Sequence, residues 1–171
     1  MILVGIDPGH RNLGLARLEV ADHRIVAATT QTLSIPKATR IEEYAHLLRP
    51  TLLELFTGAL HIGAEAFPEV FSRRPRDGHP QPVATWTRIG TVVGIWTAVA
   101  EELKVSWSAV LPLVLKRLAT ANYKAEKADM IAAARSAWPA FQGTDHEADA
   151  LLAALACGAQ EVLLGPGFYR Q

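Results

Sequence analysis

Cysteine is almost absent from this sequence, and neither sign of charge is in excess. The single cysteine, Cys157, cannot form an internal disulfide, and a zinc site built from several thiolates is excluded. Seventeen Lys+Arg balance seventeen Asp+Glu, so any affinity for nucleic acid must come from uneven placement of charge. No run approaches the ~18 apolar residues of a membrane span, and the apolar N-terminus reaches Asp7 too soon for a signal peptide. We therefore expect a soluble, cytoplasmic protein that has no membrane partner.

Basic and acidic residues occupy separate parts of the chain. Residues 72–90 carry four arginines against one aspartate, a net charge of +3. Residues 104–127 carry five basic residues against one glutamate, a net charge of +4. Residues 139–165 carry four acidic residues and no Lys or Arg, a net charge of −4. Such a separation either marks solvated faces or places positive charge for phosphates around an acidic centre.

The chain has 171 residues, half of them hydrophobic, which suits one domain with a core and excludes disordered or low-complexity classes. Short apolar or alternating runs predict strands over residues 2–6, 12–20, 24–33, 60–64 and 105–111, with a hairpin at 21–23. The spacing of apolar residues predicts helices over residues 41–55, 86–103, 112–118, 126–138 and 145–162. This order indicates an α/β fold, a mixed sheet flanked by helices, in a single domain over residues 1–171.

Two acidic residues stand at the ends of predicted strands. Asp7 follows the first apolar strand and precedes Pro8 and Gly9, which we expect to stop that strand. Glu65 follows the small apolar residues of the strand predicted over residues 60–64. If the two strands are neighbours, the carboxylates lie side by side and can both be anions only with a cation between them. The alternative for Asp7 is structural, because Asp-Pro-Gly is a common turn in which the carboxylate caps backbone N–H groups.

A third group of polar residues begins the last predicted helix. Thr144 and Glu147 form a Thr-x-x-Glu capping box, which predicts a helix start. His146 and Asp149 are three residues apart and so share one face of that helix, either as a structural pair or as metal ligands. Oxygen ligands with one imidazole favour Mg²⁺ or Mn²⁺ over zinc, and two such ions can bridge one phosphate. The candidate ligands of such a site are Asp7, Glu65, His146 and Asp149.

Four motifs in this order resemble the RuvC family of Holliday-junction resolvases, which has the RNase H-like fold, over nearly the whole chain. They are Gly-Ile-Asp-Pro-Gly at residues 5–9, Ile-Gly-Ala-Glu at 62–65, a two-lysine region over 112–130, and His-Glu-Ala-Asp-Ala-Leu at 146–151. The resemblance implies that two divalent ions, Mg²⁺ or Mn²⁺, are held by Asp7, Glu65, His146 and Asp149. It further implies that Lys116 and Lys127 contact the phosphate near the scissile bond. The remaining DNA contacts are expected from Phe67, Phe71, Arg73, Arg74, Arg76 and Lys124.

Some positions depart from the family pattern. Ala66 stands where the family usually has glutamine, and Glu69 is a second candidate ligand. Phe67 and Phe71 both fit the position of the aromatic residue that opens the junction. The loop before the second lysine, residues 120–123, lacks the family's glycines. These differences suit a divergent member of the family and bear on junction specificity more than on chemistry.

The resemblance predicts a homodimeric, metal-dependent endonuclease that resolves Holliday junctions or other branched DNA. Hydrolysis with two ions would leave 5′-phosphate and 3′-hydroxyl ends. The nicks would be paired and symmetric, because a two-fold dimer presents two sites to two equivalent strands. A branch-migration helicase is a further candidate partner. The alternatives are a nuclease of the same fold that cuts flaps, single strands or structured RNA, and a non-catalytic DNA-binding module. An actin-like phosphotransferase is disfavoured, because the sequence has no second glycine-rich phosphate loop.

Overall fold

The computed structural model describes residues 1–36, 39–66 and 83–164, with side chains except for residues 83, 84 and 159–164. The described residues form five strands: β1 (Ile2–Pro8), β2 (Asn12–Ala21), β3 (Arg24–Ser34), β4 (His61–Glu65) and β5 (Ser106–Val110). They also form five α-helices: α1 (Tyr44–Phe56), α2 (Val83–Glu102), α3 (Pro112–Thr120), α4 (Lys127–Ala137) and α5 (Asp145–Leu164). A single 3₁₀ turn, Ile41–Glu43, precedes α1. Within the described ranges, no helix combines the length and the apolar character that crossing a membrane requires.

The strands form one mixed sheet in the order β3-β2-β1-β4-β5. The first three strands are antiparallel neighbours, and β1, β4 and β5 run parallel to one another. The expected hairpin joins β2 to β3 through Asp22 and His23, whose φ angles of 48° and 60° are those of a tight two-residue turn. Because β1, β4 and β5 are parallel, their carboxyl ends meet at one edge of the sheet, where ligands usually bind in α/β folds.

The strands differ from the predicted ranges by one or two residues at their ends, and two of these differences concern acidic residues. The sequence prediction ends the first strand at Ile6, but β1 continues through Asp7 to Pro8. Pairing with β2 continues to Pro8 opposite Leu13, and a proline at a strand end withdraws only its own N–H from the ladder. Likewise, β4 includes Glu65 as its last residue. Both carboxylates therefore project from paired strands rather than from turns, so the sheet itself fixes their backbone positions.

Helices cover both faces of the sheet. On one face, α1 and α2 pack against alternate strand residues in a cluster that includes Val4, Ile6, Leu15, Ile62, Tyr44, Leu48 and Trp96. On the other face, α3, α4 and α5 pack in a second cluster that includes Leu3, Leu18, Val110, Leu115, Met130 and Leu151. Residues that alternate along β1 and β2 thus serve opposite layers, as expected for a sheet that is buried on both faces.

Helix α5 lies close to the sheet because glycines on three strands, Gly5, Gly14 and Gly63, leave room for its backbone. A Cβ atom added at Gly5 of β1 would lie 1.8 Å from the carbonyl oxygen of Ala150. A Cβ atom added at Gly14 of β2 would lie 2.1 Å from the carbonyl oxygen of His146. Both distances are far below van der Waals contact. The absence of side chains at these glycines therefore sets how near α5 comes to β1, β2 and β4.

We expect Gly5→Ala to lower the free energy of unfolding by about 2–3 kcal/mol, because α5 must move away from β1 to admit the methyl group. The measurement is urea unfolding followed by far-UV circular dichroism. Glu54→Ala is the control, because Glu54 is exposed on helix α1 and alanine is at least as good a helix former. Equal stability of the two variants would contradict the close packing of α5.

Candidate active site

Asp7 and Glu65 are neighbours across the two central parallel strands. The register pairs Gly5 with Gly63 and Ile6 with Ala64, so the next residue pair of β1 and β4 is Asp7 and Glu65. Both side chains are largely withdrawn from solvent, and that of Asp7 is 16% exposed. The sequence prediction that the two carboxylates lie side by side, conditional on adjacent strands, therefore agrees with the sheet order.

Helix α5 brings His146 to the same edge of the sheet. The His146 Nδ1 atom lies 2.6 Å from Asp7 Oδ2. Because a carboxylate only accepts hydrogen bonds, Nδ1–H donates, and Nε2 is the nitrogen that a neutral imidazole can offer to a cation. The hydrogen bond to Asp7 raises the pKa of His146 above its usual value, because it favours the imidazolium. The bond thus joins the start of α5 to the end of β1.

The pKa values of two carboxyl groups show how strongly negative charge is concentrated here. Burial raises the pKa of Glu65 to about 8, and the negative charges of Asp7 and Asp149 add to this effect. Burial also raises the pKa of Asp149 to about 6, with further contributions from Asp7 and Asp145. His146 and Lys116 oppose both shifts. Asp7, His146 and Lys116 therefore act on both carboxyl groups. We call the set Asp7, Glu65, His146, Asp149 and Lys116 the carboxylate cluster.

The donor set of this cluster fits a hard divalent cation. Three carboxyl groups and one imidazole nitrogen are the donors that Mg²⁺ and Mn²⁺ accept. A bound cation would also favour the ionised forms of Glu65 and Asp149, whose pKa values are raised by burial and by neighbouring carboxylates. Within the described residues, however, no three His, Cys, Asp or Glu side chains are already arranged at metal-binding distances. The Asp7 carboxylate is bonded to His146 instead, so cation binding requires these side chains to rearrange.

The two lysines that the sequence analysis expects to contact phosphate differ in their surroundings. Lys116 of α3 is half-buried, and its charge lowers the pKa of both Glu65 and Asp149. Lys127 is the first residue of α4, and its ammonium group forms a hydrogen-bonded ion pair with Asp145. That pairing raises the pKa of Lys127 and lowers that of Asp145.

Other expected DNA contacts are either exposed or outside the described residues. Lys124 is exposed and lies over the ring of Tyr123, with 5.6 Å between its Nζ atom and the ring centroid. The remaining residues of that prediction, and the second candidate ligand, lie outside the described ranges; they are Phe67, Phe71, Arg73, Arg74, Arg76 and Glu69.

The anchoring of α5 to β3 is a feature that the sequence reasoning did not find. Helix α5 begins at Asp145, directly after Thr144, as the capping box predicts. The capping hydrogen bond is weak, however, because the Glu147 nitrogen lies 3.4 Å from Thr144 Oγ1. The Glu147 carboxylate instead accepts hydrogen bonds from Thr30 at 2.7 Å and Thr32 at 2.9 Å. Since Glu147 follows His146 directly, this attachment fixes the helix turn that carries the imidazole. The partners are more than a hundred residues apart in sequence, so local spacing gives no sign of it.

The fold of this chain matches that of proteins whose structures have been solved. No protein-family model and no curated protein matches the chain. Among solved structures, RuvC of Thermus thermophilus matches with a TM-score of 0.74 and 21% sequence identity, over 96% of this chain and 97% of that one. T. thermophilus RuvC in complex with a Holliday junction substrate matches with a TM-score of 0.73 and 20% identity, over 96% and 98% of the two chains. The chain therefore has the RuvC variant of the RNase H-like fold, and the predicted fold class is confirmed.

Proposed function

We propose that this chain is a divalent-metal-dependent endonuclease that resolves Holliday junctions and related branched DNA, with residues 1–171 acting as one nuclease domain. The observation that supports the proposal most is the shared electrostatic cluster of Asp7, Glu65 and Asp149 at the carboxyl edge of the sheet. Buried like charges are costly unless they serve a ligand. A solved structure of similar fold contains a Holliday junction substrate, which makes branched DNA the first substrate to test.

Asp7, Glu65, His146 and Asp149 are the proposed metal ligands, with Mg²⁺ or Mn²⁺ as the ions and two ions per site. When bound, such ions polarise the phosphate and make a nucleophile available at neutral pH. The Nδ1–H bond to Asp7 keeps His146 beside the other proposed ligands, and we propose that this bond is exchanged for coordination when these side chains rearrange around an ion. The imidazole must be neutral to act as a ligand, so we expect cutting to weaken as the pH falls through the raised pKa of His146.

Basic side chains of this chain are proposed to bind the phosphate groups of the DNA. Lys116 and Lys127 are proposed to bind the oxygens of the scissile phosphate and to offset negative charge as it increases in the transition state. Water attacks phosphorus, the bond to the 3′-oxygen breaks, and the products carry a 5′-phosphate and a 3′-hydroxyl. Arg73, Arg74, Arg76 and Lys124 are proposed to contact the DNA backbone farther away, and Phe67 or Phe71 to separate bases at the branch point.

A homodimer is proposed because resolution of a four-way junction needs two cuts in equivalent strands. Two features support an interface on the side of α2 and β5. Gly90, Gly94 and Ala98 form an exposed row of small residues on α2, and a Cβ atom added at either glycine meets no atom within 4 Å. Trp107 on the edge strand β5 is 41% exposed and packs edge-to-face on Trp96. A branch-migration helicase is proposed as a further partner.

The test is a cutting assay on four-way junctions with Mg²⁺, with Mn²⁺ and with a chelator. We expect paired nicks with either ion, ligatable 5′-phosphate and 3′-hydroxyl ends, and no cutting with the chelator. A substrate panel of linear duplex, flap, single-stranded DNA and structured RNA decides specificity. Equal cutting of the whole panel contradicts the proposed specificity, and preference for flaps or RNA identifies the alternative nuclease. Junction binding without cutting under every condition identifies a non-catalytic DNA-binding module.

Lys116→Ala is expected to slow junction cutting by about tenfold and to reduce the salt dependence of DNA binding by about one phosphate contact. The physical reason is the loss of one half-buried ammonium group beside the carboxylate cluster. The measurements are the single-turnover cutting rate and the slope of log Kd against log salt concentration. Arg49→Ala is the control, because Arg49 is paired with Glu102 on the α1–α2 layer. The same slope for wild type and Lys116→Ala contradicts a phosphate contact.

A further inference from the structure

Lys127 and Asp145 form an ion pair between the first residues of two neighbouring helices. The Lys127 ammonium group donates a hydrogen bond to Asp145 Oδ2. The lysine side chain is 80% exposed, whereas the aspartate side chain is 25% exposed. Asp145 is therefore the fixed member of the pair, and it holds an otherwise free lysine in one place.

Folding stability is a weak reason for this pair. Ion pairs of exposed lysines contribute little to folding, and restraining a long lysine side chain has an entropic cost. Asp145 also places an additional negative charge beside a site that is already acidic, because it immediately precedes His146 and its charge affects Asp149. A carboxylate at this position thus adds to local repulsion. The positioning of Lys127 explains the presence of Asp145 better than folding stability does.

We propose that Asp145 is a positioning residue that holds the Lys127 ammonium group at the edge of the carboxylate cluster, ready for the scissile phosphate. The inference rests on the nuclease function proposed above. An ammonium group has three donors, so one can remain on Asp145 while two bind phosphate oxygens. Holding Lys127 in advance removes the cost of ordering its side chain when DNA binds.

The proposal predicts opposite effects on binding and on turnover. Asp145→Asn removes an anion that repels phosphate, so the KM for junction DNA should stay the same or fall. The same change releases Lys127, so kcat should fall by about tenfold. A residue that only stabilises the fold would not improve DNA binding while it slows the reaction. Asp145→Glu keeps the carboxylate and should restore kcat to within about threefold of the wild-type value.

The experiment measures kcat and KM for wild type, Asp145→Asn, Asp145→Glu, Lys127→Ala and the double variant Asp145→Asn/Lys127→Ala. Glu102→Gln is the matched control, because it breaks the surface pair with Arg49 and should leave both constants unchanged. We expect Asp145→Asn to have no further effect on kcat once Lys127 is absent. An unchanged kcat in Asp145→Asn, or losses that multiply in the double variant, overturns the inference.

A second measurement does not depend on cutting. In the free, cation-free protein, an ammonium group held by a carboxylate exchanges its protons slowly, so the Lys127 Nζ–H signal should be visible by NMR. That signal should disappear in Asp145→Asn and remain in Glu102→Gln; its absence from the wild type overturns the inference. If the wild type cuts no branched DNA, the proposed function is wrong and this inference falls with it. If the wild type cuts and Asp145→Asn cuts equally well, only the inference is wrong.

Discussion

Asp149→Asn is expected to reduce junction cutting by about a thousandfold or more, while the protein stays folded and binds DNA. The change removes one anionic donor from the proposed metal site and leaves a side chain of nearly the same shape. A thousandfold loss corresponds to about 4 kcal/mol of transition-state stabilisation, which is a reasonable cost for a displaced catalytic ion. Asp7→Asn and Glu65→Gln should have the same effect, because each removes one donor from the same cluster.

The measurement is the single-turnover rate on a four-way junction in Mg²⁺, beside junction binding in a chelator and the thermal unfolding midpoint. Asp22→Asn is the matched control, because Asp22 lies in the β2–β3 turn with a φ of 48° that asparagine also adopts readily. That turn joins the ends of β2 and β3 farthest from Asp7 along the register. Full cutting by Asp149→Asn would remove this residue from the site, whereas equal losses in both variants point to a general effect on folding.

Glu65→Gln is expected to stabilise the cation-free protein, and the gain should increase with pH. The pKa of Glu65 is about 8 in the folded chain, against an ordinary value of 4.5. Between these values the folded state keeps a proton that the unfolded state has lost, so the free energy of unfolding falls as the pH rises. Each pKa unit corresponds to about 1.4 kcal/mol, so we expect a gain of about 3 to 5 kcal/mol for the variant above pH 8 and almost none below pH 4.5.

Urea unfolding in a chelator, repeated from acidic to alkaline pH for wild type and Glu65→Gln, measures this difference directly. Asp149 contributes to the pH dependence of both proteins, because its pKa of about 6 is raised from 3.8, so the comparison isolates Glu65. Added Mg²⁺ should stabilise the wild type above pH 8 and stabilise the variant much less, because the bound ion favours the ionised carboxylate. A difference between the two proteins that does not change with pH contradicts the burial of an ionisable Glu65 beside Asp7.

Local patterns were sufficient for most of the secondary structure. The apolar run before Asp7 predicts a buried strand, and the apolar spacing after Trp86 predicts the long helix α2. Proline at the first position of α3 and the threonine before α5 mark helix starts by their effects on one or two turns of backbone. At Pro8 and Glu65 the strands extend past their predicted ends because they pair with neighbouring strands, and such a neighbour is set by the tertiary fold.

The amino-acid sequence by itself determined which chemical groups this protein has and where each stands in its own element: carboxyl groups at two strand ends, an imidazole and a carboxyl group on one helix face, and lysines near two helix starts. Only the tertiary structure decided which of them meet. It placed β1 beside β4, let α5 approach at Gly5 and Gly14, turned His146 Nδ1 toward Asp7 and paired Lys127 with Asp145. The physical reason is range: strand and helix patterns arise from residues a few positions apart, whereas these contacts depend on how whole layers pack against one another.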